Sequence, residues 1–280
     1  FLPSFDGFGW NLRKGAEEEI YDRLRPLALR LAAEDYIDMP DLVENVTRFE
    51  LPEPVQKIYN QLEDAMIAEI DNHVIVASNA AAASTKLRQV VNGGIYLDND
   101  YALPKTIKKA VTRADGREWA KLHDEKTDLL ANLVEELQGS PLLVAYDFHH
   151  DLARLQERFG KDVPYIGGGT TAKRALELEA AWNEGKLPIL LGHPASIGHG
   201  LNLQRAANHV AWYANTWNRE LFDQFNGRVH RQGNKAERVF VHLFLAKGTV
   251  DEVMYWALKG KDRVQKALLL ALKEMRSRRR

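Results

Sequence analysis

Between Leu187 and Gln232 the chain alternates short apolar runs with a glycine-punctuated loop and a basic segment, and this stretch constrains the fold more than any other. The runs Ile189 to Leu191 and His209 to Tyr213 have the length and composition of strands buried in a parallel sheet. Between them lies Ser196-Ile197-Gly198-His199-Gly200-Leu201-Asn202-Leu203. Glycines after a buried strand let backbone approach a ligand or a neighbouring lobe where a side chain would clash. From about Asn218 the spacing predicts a helix with Gln224, Arg228 and Arg231 four and three residues apart, on one face. One amide and two guanidiniums beside a glycine loop at strand ends suit a triphosphate whose negative charge grows during hydrolysis. The bland alternative is a solvated helix face carrying two surface arginines.

The rest of the chain reads in three parts. Residues 1–92 read as mainly helical, with helices over Ala16 to Leu24, Leu27 to Ala33, a stretch introduced by Pro52 and Pro54, and Ala81 to Val91. A short strand is expected over Asn45 to Leu51. Residues 93–118 are polar and rich in turn dipeptides, including Asn92-Gly93 and Asp115-Gly116, and read as a linker or exposed loop. Residues 119–280 alternate apolar runs (Leu142 to Tyr146, Val163 to Ile166, Pro188 to Leu191, His209 to Tyr213, Arg238 to Leu245) with helical segments. That order predicts an α/β fold: a doubly wound, mostly parallel sheet, preceded by a mainly helical segment.

Composition narrows the function classes. A 45% hydrophobic and 28% charged chain of 280 residues has the make-up of a globular protein with a sizeable core. The absence of cysteine excludes disulfides and thiolate metal sites, and fits a cytoplasmic protein. No apolar run approaches the length of a membrane span. A net charge of -1 argues against coating nucleic acid by bulk charge, although a local basic track would suffice to follow DNA. Arg276, Arg278, Arg279 and Arg280 read as a solvated basic end or a nonspecific phosphate contact. His149, His150, His193, His199 and His242 show no metal-ligand spacing, so no metal site is expected. Gly167-Gly168-Gly169-Thr170-Thr171 follows a short strand and precedes a helix, with Arg174 one turn in. It lacks the Gly-Lys-Ser/Thr ending of a P-loop. Amides and hydroxyls at a helix start can nonetheless hold a phosphate, the alternative being a plain glycine turn.

The Leu187 to Gln232 stretch resembles motifs V and VI of superfamily two helicases, in the form used by Swi/Snf-type DNA translocases. Gly198-x-Gly200-Leu201-Asn202-Leu203 resembles the family's Gly-x-Gly-Leu-Asn-Leu. Trp217-Asn218, Asp223-Gln224 and Arg228-x-His230-Arg231 resemble its Trp-Asn…Asp-x-Gln…Arg-x-His-Arg. Upstream, Leu27 to Arg30, Met39-Pro40 and Leu87-Arg88-Gln89 stand in the family's order for the helical insertion and for the connector leaving the first motor lobe. Two departures stand out. Ser196-Ile197-Gly198 replaces Ala-Gly-Gly, and Arg219 replaces the proline common after Trp-Asn.

The resemblance implies a C-terminal RecA-like lobe over 119–280, preceded by helical insertion and connector over 1–92. It makes Arg228 and Arg231 arginine fingers for ATP held on the other lobe. Gln224, Gly198, Gly200 and Asn202 become nucleotide-binding or coupling residues. Gly168, Gly169, Thr170, Thr171, Arg174 and Trp217 become contacts to double-stranded DNA. No Gly-x-x-x-x-Gly-Lys-Ser/Thr and no Asp-Glu-x-His occurs in the 280 residues. The expectation is therefore half a motor, inactive as an ATPase alone. ATP and Mg2+ would belong to the complete two-lobe enzyme, and the missing N-terminal lobe would be a partner. The first residue, Phe1 rather than Met, is read as the start of a piece of a longer protein. The rival readings are a strand-separating helicase subunit of a restriction or repair complex, and a stand-alone lobe that binds DNA or a partner without catalysis.

Overall fold

Leu142–Ala145 and Ile189–Gly192 carry no hydrogen-bonding side chain, so strands made from them need cover on both faces. They have it in the computed structural model, which describes residues 2–3, 10–11, 13, 15–24, 39–72, 77–97, 111–114, 117–197 and 200–260. The helix expected over Leu27 to Ala33, Gly198 and the basic end after Arg276 lie outside the described residues. Two units divide the chain, Phe1–Met39 and Pro40–Arg280. In the first, β1 (Leu2–Pro3) pairs antiparallel with β2 (Trp10–Asn11), and α1 (Ala16–Leu24) follows, with Glu19 ion-paired to Arg13.

The second unit opens with β3 (Asp41–Phe49), α2 (Glu53–Asn72) and α3 (Ala77–Asn92). Next come β4 (Gly94–Tyr96), β5 (Val111–Ala114) and β6 (Arg117–Lys121), then α4 (Glu125–Glu136). The remainder alternates: β7 (Leu142–Ala145), α5 (His149–Phe159), β8 (Tyr165–Ile166), α6 (Ala172–Asn183), β9 (Ile189–Gly192) and α7 (Pro194–Ile197). It closes with β10 (His209–Trp212), α8 (Arg219–Asn226), β11 (Arg238–Ala246) and α9 (Val250–Lys259).

Six strands form one sheet in the order β3-β11-β10-β7-β9-β8, and every neighbouring pair is parallel. Alternation along each strand divides the core. Leu142, Val144, Ile189, Leu191, Ala211 and Phe244 face a cluster filled by Val55, Tyr59, Leu87, Val90, Leu130, Leu155 and Met254. Leu143, Ala145, Leu190, Val210, Trp212 and Val241 face the opposite cluster, built on Leu178, Trp182, Phe222 and Phe225. The first layer is α2, α3, α4, α5 and α9, and the second is α6 and α8. This is the doubly wound sheet that the strand and helix order predicts.

Two regions differ from the expectation. The short strand expected over Asn45 to Leu51 is β3, longer and starting earlier, and it joins the sheet along the whole of β11 as an edge strand. Its residues are largely exposed or half-buried, so it lacks the apolar run of a central strand. The stretch read as a linker supplies a three-stranded antiparallel sheet in the order β4-β6-β5. Ala114 pairs with Arg117 across β5 and β6.

A buried polar network fastens the first helical layer to the sheet. Lys126 Nζ lies 2.8 Å from Asp251 Oδ2, both side chains essentially without solvent access. Lys126 also donates to Asn92 Oδ1 at 3.0 Å, and Asn92 donates to Asp151 Oδ2 at 3.0 Å. Asn215 donates to Asp251 Oδ1 at 2.9 Å. Arg154, buried, donates to the carbonyls of Asn92 and His123 and to Thr127. Burial pushes the Lys126 ammonium's pKa down, against the pull of Asp251. Removing one partner strands the other charge in the interior. Lys126→Met should therefore lower unfolding free energy by about 3–5 kcal/mol in urea denaturation. Adding Asp251→Asn should recover part of that loss, because the orphaned charge is gone.

Candidate arginine and glycine-loop site

The arginines and the glycine loop meet on the α6–α8 side of the sheet, but not by the route their spacing predicts. Asn218 caps α8, its side chain accepting from the Leu221 N–H at 3.1 Å. The helix ends at Asn226, and Gly227 begins a series of tight turns. Arg228 N–H bonds back three residues to Phe225 O at 3.1 Å, and Val229 N–H to Asn226 O at 3.0 Å. Those turns break the single helix face expected for Gln224, Arg228 and Arg231. Gln224 lies along its own helix and donates to Glu220 at 2.9 Å.

The arginines reach the loop instead. Arg228, half-buried, donates through Nη1 to Leu201 O at 3.2 Å, while its own carbonyl accepts from Leu203 N–H at 3.2 Å. Arg231, exposed, donates to Asn202 Oδ1 at 2.8 Å. Gly200 has φ +82°, in the left-handed region open to glycine, which turns the chain into this segment. Burial lowers the pKa of Arg228, and the charge of Arg231 adds to the effect. Both causes disfavour charge as the site stands, and an anion between the guanidiniums would reverse them.

Both departures from the motif pattern have structural explanations. Ile197 is fully buried and occupies the space over Gly192, where an added Cβ would sit 2.1 Å from its Cδ1. Arg219 shares its Nε–H between the two carboxylate oxygens of Asp223, at 2.9 and 2.7 Å, and also donates to Leu258 O, tying α8 to α9.

A second group lies at the start of α6. Thr171 caps the helix, its hydroxyl accepting from the Arg174 N–H at 3.2 Å. Thr170 Oγ1 accepts from the Gly167 N–H at 3.0 Å. Gly168, Gly169, Thr171 and Arg174 are exposed, and Gly169 has φ +82°. Gly169, Thr170, Thr171 and Arg174 line an open depression with Lys161 and Tyr165. Trp217 stands apart from this group. It is half-buried, packs against the first core cluster and donates its indole N–H to Ser84 Oγ at 2.7 Å.

Two sets of residues escaped the sequence reading. Asp147, just past β7, is held between Arg88 of α3 and His193, whose Nε2 lies 3.3 Å from Asp147 Oδ1. Burial works to raise the Asp147 pKa, but His193 and Arg88 overcome it and hold the carboxyl at about 2. The second set is Glu179, Trp182 and Asn183 of α6, which bind the backbone of residues 202–205. Arg88 falls in the Leu87-Arg88-Gln89 signature, but its pairing with Asp147, like the α6 contacts, depends on side chains brought together by the fold.

The chain is similar to known proteins over much of its length. The helicase conserved C-terminal domain family matches residues 125–233. Protein p41 of Acyrthosiphon pisum secondary endosymbiont phage 1 is 34% identical over 254 residues, 89% of this chain and 50% of p41. Protein CHROMATIN REMODELING 25 of Arabidopsis thaliana is 32% identical over 167 residues, 57% of this chain and 18% of that protein. The chain thus spans half or less of the length of these relatives. The crystal structure of the C-terminal part of the Fun30 ATPase domain superposes with a TM-score of 0.63 at 16% identity. That match covers 85% of this chain and 99% of the other, and it shows a common fold.

The Asp147 pKa sets a pH window. Its depressed folded value makes the cluster's contribution to stability complete above about pH 4, the unfolded carboxylate range, and lost as pH falls towards about 2. Unfolding experiments across that interval should show the slope, and Asp147→Asn should flatten the part due to this residue.

Proposed function

We propose that this chain, which carries the C-terminal RecA-like lobe of the Swi/Snf-type branch of superfamily two, is the finger-bearing half of an ATP-driven translocase on double-stranded DNA. The observation that carries the reading is the placing of Arg228 and Arg231 on the Leu201–Asn202 segment. Two guanidiniums beside one backbone loop can bind phosphate oxygens in pairs, with charge that persists at any working pH.

The site gathers guanidiniums and amides, a donor set that fits phosphate oxygens rather than a divalent cation. Among the described residues no group of three or more His, Cys, Asp or Glu side chains could hold a metal ion. In this reading, magnesium and the cradle for ATP belong to an N-terminal lobe. ATP supplies the phosphoryl group whose transfer to water powers the motor. Arg228 and Arg231 offer positive charge to its terminal phosphate. Asn202, by accepting from Arg231, sets where that guanidinium points before the lobes close. The exposed amides, hydroxyls and Arg174 at the start of α6 would lie against the DNA phosphodiester backbone. Opening and closing of the two lobes would then couple turnover to stepping. No helix among the described residues is long and apolar enough to cross a membrane.

The test is turnover by a two-lobe protein in which this chain follows an ATP-binding RecA-like lobe. Arg228→Ala and Arg231→Ala should each cut DNA-stimulated kcat by about 10³- to 10⁵-fold. Arg228→Lys should not rescue it, because an ammonium cannot reproduce the planar two-pronged contact. Full activity in either alanine variant would refute the finger assignment.

A further inference from the structure

The helix that starts at the candidate DNA loop ends on the candidate nucleotide loop. Glu179, Trp182 and Asn183 lie three and four residues apart and so share one face of α6. All three bind the backbone of a single short segment. The Asn202 N–H donates to Glu179 Oε1 at 2.8 Å, and Asn183 Nδ2 donates to Asn202 O at 2.7 Å. Trp182 Nε1 donates to Leu203 O at 2.9 Å, and the Arg205 N–H donates to Asn183 Oδ1 at 3.3 Å. On its other side the same segment is bound to Arg228 and Arg231 through Leu201 O, Leu203 N–H and Asn202 Oδ1. Residues 201–205 are thus held between α6 and the arginines.

We propose that α6 is a strut through which DNA engagement at Gly168–Arg174 sets the position of Arg228 and Arg231, with Glu179 and Asn183 as its positioning residues. The inference rests on the reading of those two ends given under the proposed function. A 12-residue helix is about 18 Å long and moves as one body. A displacement of its capped start by a bound phosphodiester therefore carries Glu179 and Asn183 with it. The chemistry of the two residues fits the role. Asn183 uses both halves of its amide, gripping the Asn202 carbonyl and the Arg205 N–H together, so the segment is fixed in direction as well as distance. Glu179 serves as an acceptor, which Gln would preserve and Ala would remove. Trp182 is fully buried and anchors the strut in the core, whereas Glu179 and Asn183 are half-exposed and can be changed without opening it.

Amide hydrogen exchange of the full 280-residue chain, with and without a short duplex DNA, reads the coupling directly. In the wild type the duplex should slow exchange over 167–174 and also alter it over 200–206. In Glu179→Ala/Asn183→Ala the first response should persist and the second should shrink by roughly fivefold. Glu179→Gln should keep the wild-type response, which a merely space-filling role would not require. Protection of 167–174 with no response over 200–206 in the wild type would overturn the strut and leave the DNA site standing. An equal response in the double-alanine variant would also overturn it. Absence of any DNA effect over 167–174 would sink the DNA reading itself, and the strut with it.

Discussion

The second unit depends on a charge that cannot stay inside a protein alone. Lys126 is wholly enclosed, and it remains tolerable because Asp251 and Asn92 meet it at hydrogen-bonding distance. Asp251 is in turn held by Asn215 and the backbone of Ala246, and Asn92 by Asp151. The network thus links α3, α4, α5, α9 and the end of β10, elements far apart in sequence. Hydrophobic burial would bring these helices onto the sheet in many registers, whereas a buried pair with directional partners accepts few. That holds the first helical layer on the sheet, whose opposite face carries α6, α8 and the arginine segment.

On that face, the segment before β10 is held from two directions. The Leu201–Arg205 backbone is bound on one side by α6 and on the other by the Arg228–Arg231 turns. Ile197, which stands where the motif has glycine, trades loop freedom for core packing over Gly192. Arg219, which stands where proline is common, retains the helix start through the Asn218 cap and adds a bond to the end of α9. Ile197 thus packs inside the unit, whereas Arg219 makes its bonds on the surface.

Much of the fold was legible because buried parallel strands advertise themselves. Leu142–Ala145, Ile189–Gly192 and Val210 to Trp212 are apolar on both faces, and α6 starts where a helix is expected after Gly167 to Thr171. The meeting of the glycine loop with Arg228 and Arg231 was legible from motif order. The path of the chain between Gln224 and Arg231 was not, since a glycine that tightens a helix into turns leaves the residue spacing unchanged. β3 was only half visible, because an edge strand exposes much of its surface. The small antiparallel sheet hid among turn residues. Trp217 was read as a DNA contact from its motif, whereas its burial and its bond to Ser84 are properties of the folded chain. The Lys126–Asp251 pair leaves no local pattern at all.

The measurement that tests the central claim most directly is ATP hydrolysis by the 280-residue chain alone, with and without duplex DNA. A lobe that supplies arginines to a site built elsewhere should show no turnover above background in either condition. DNA-stimulated hydrolysis that followed the protein through purification and fell with Arg228→Ala would contradict the account. The chain would then contain a complete nucleotide site of its own.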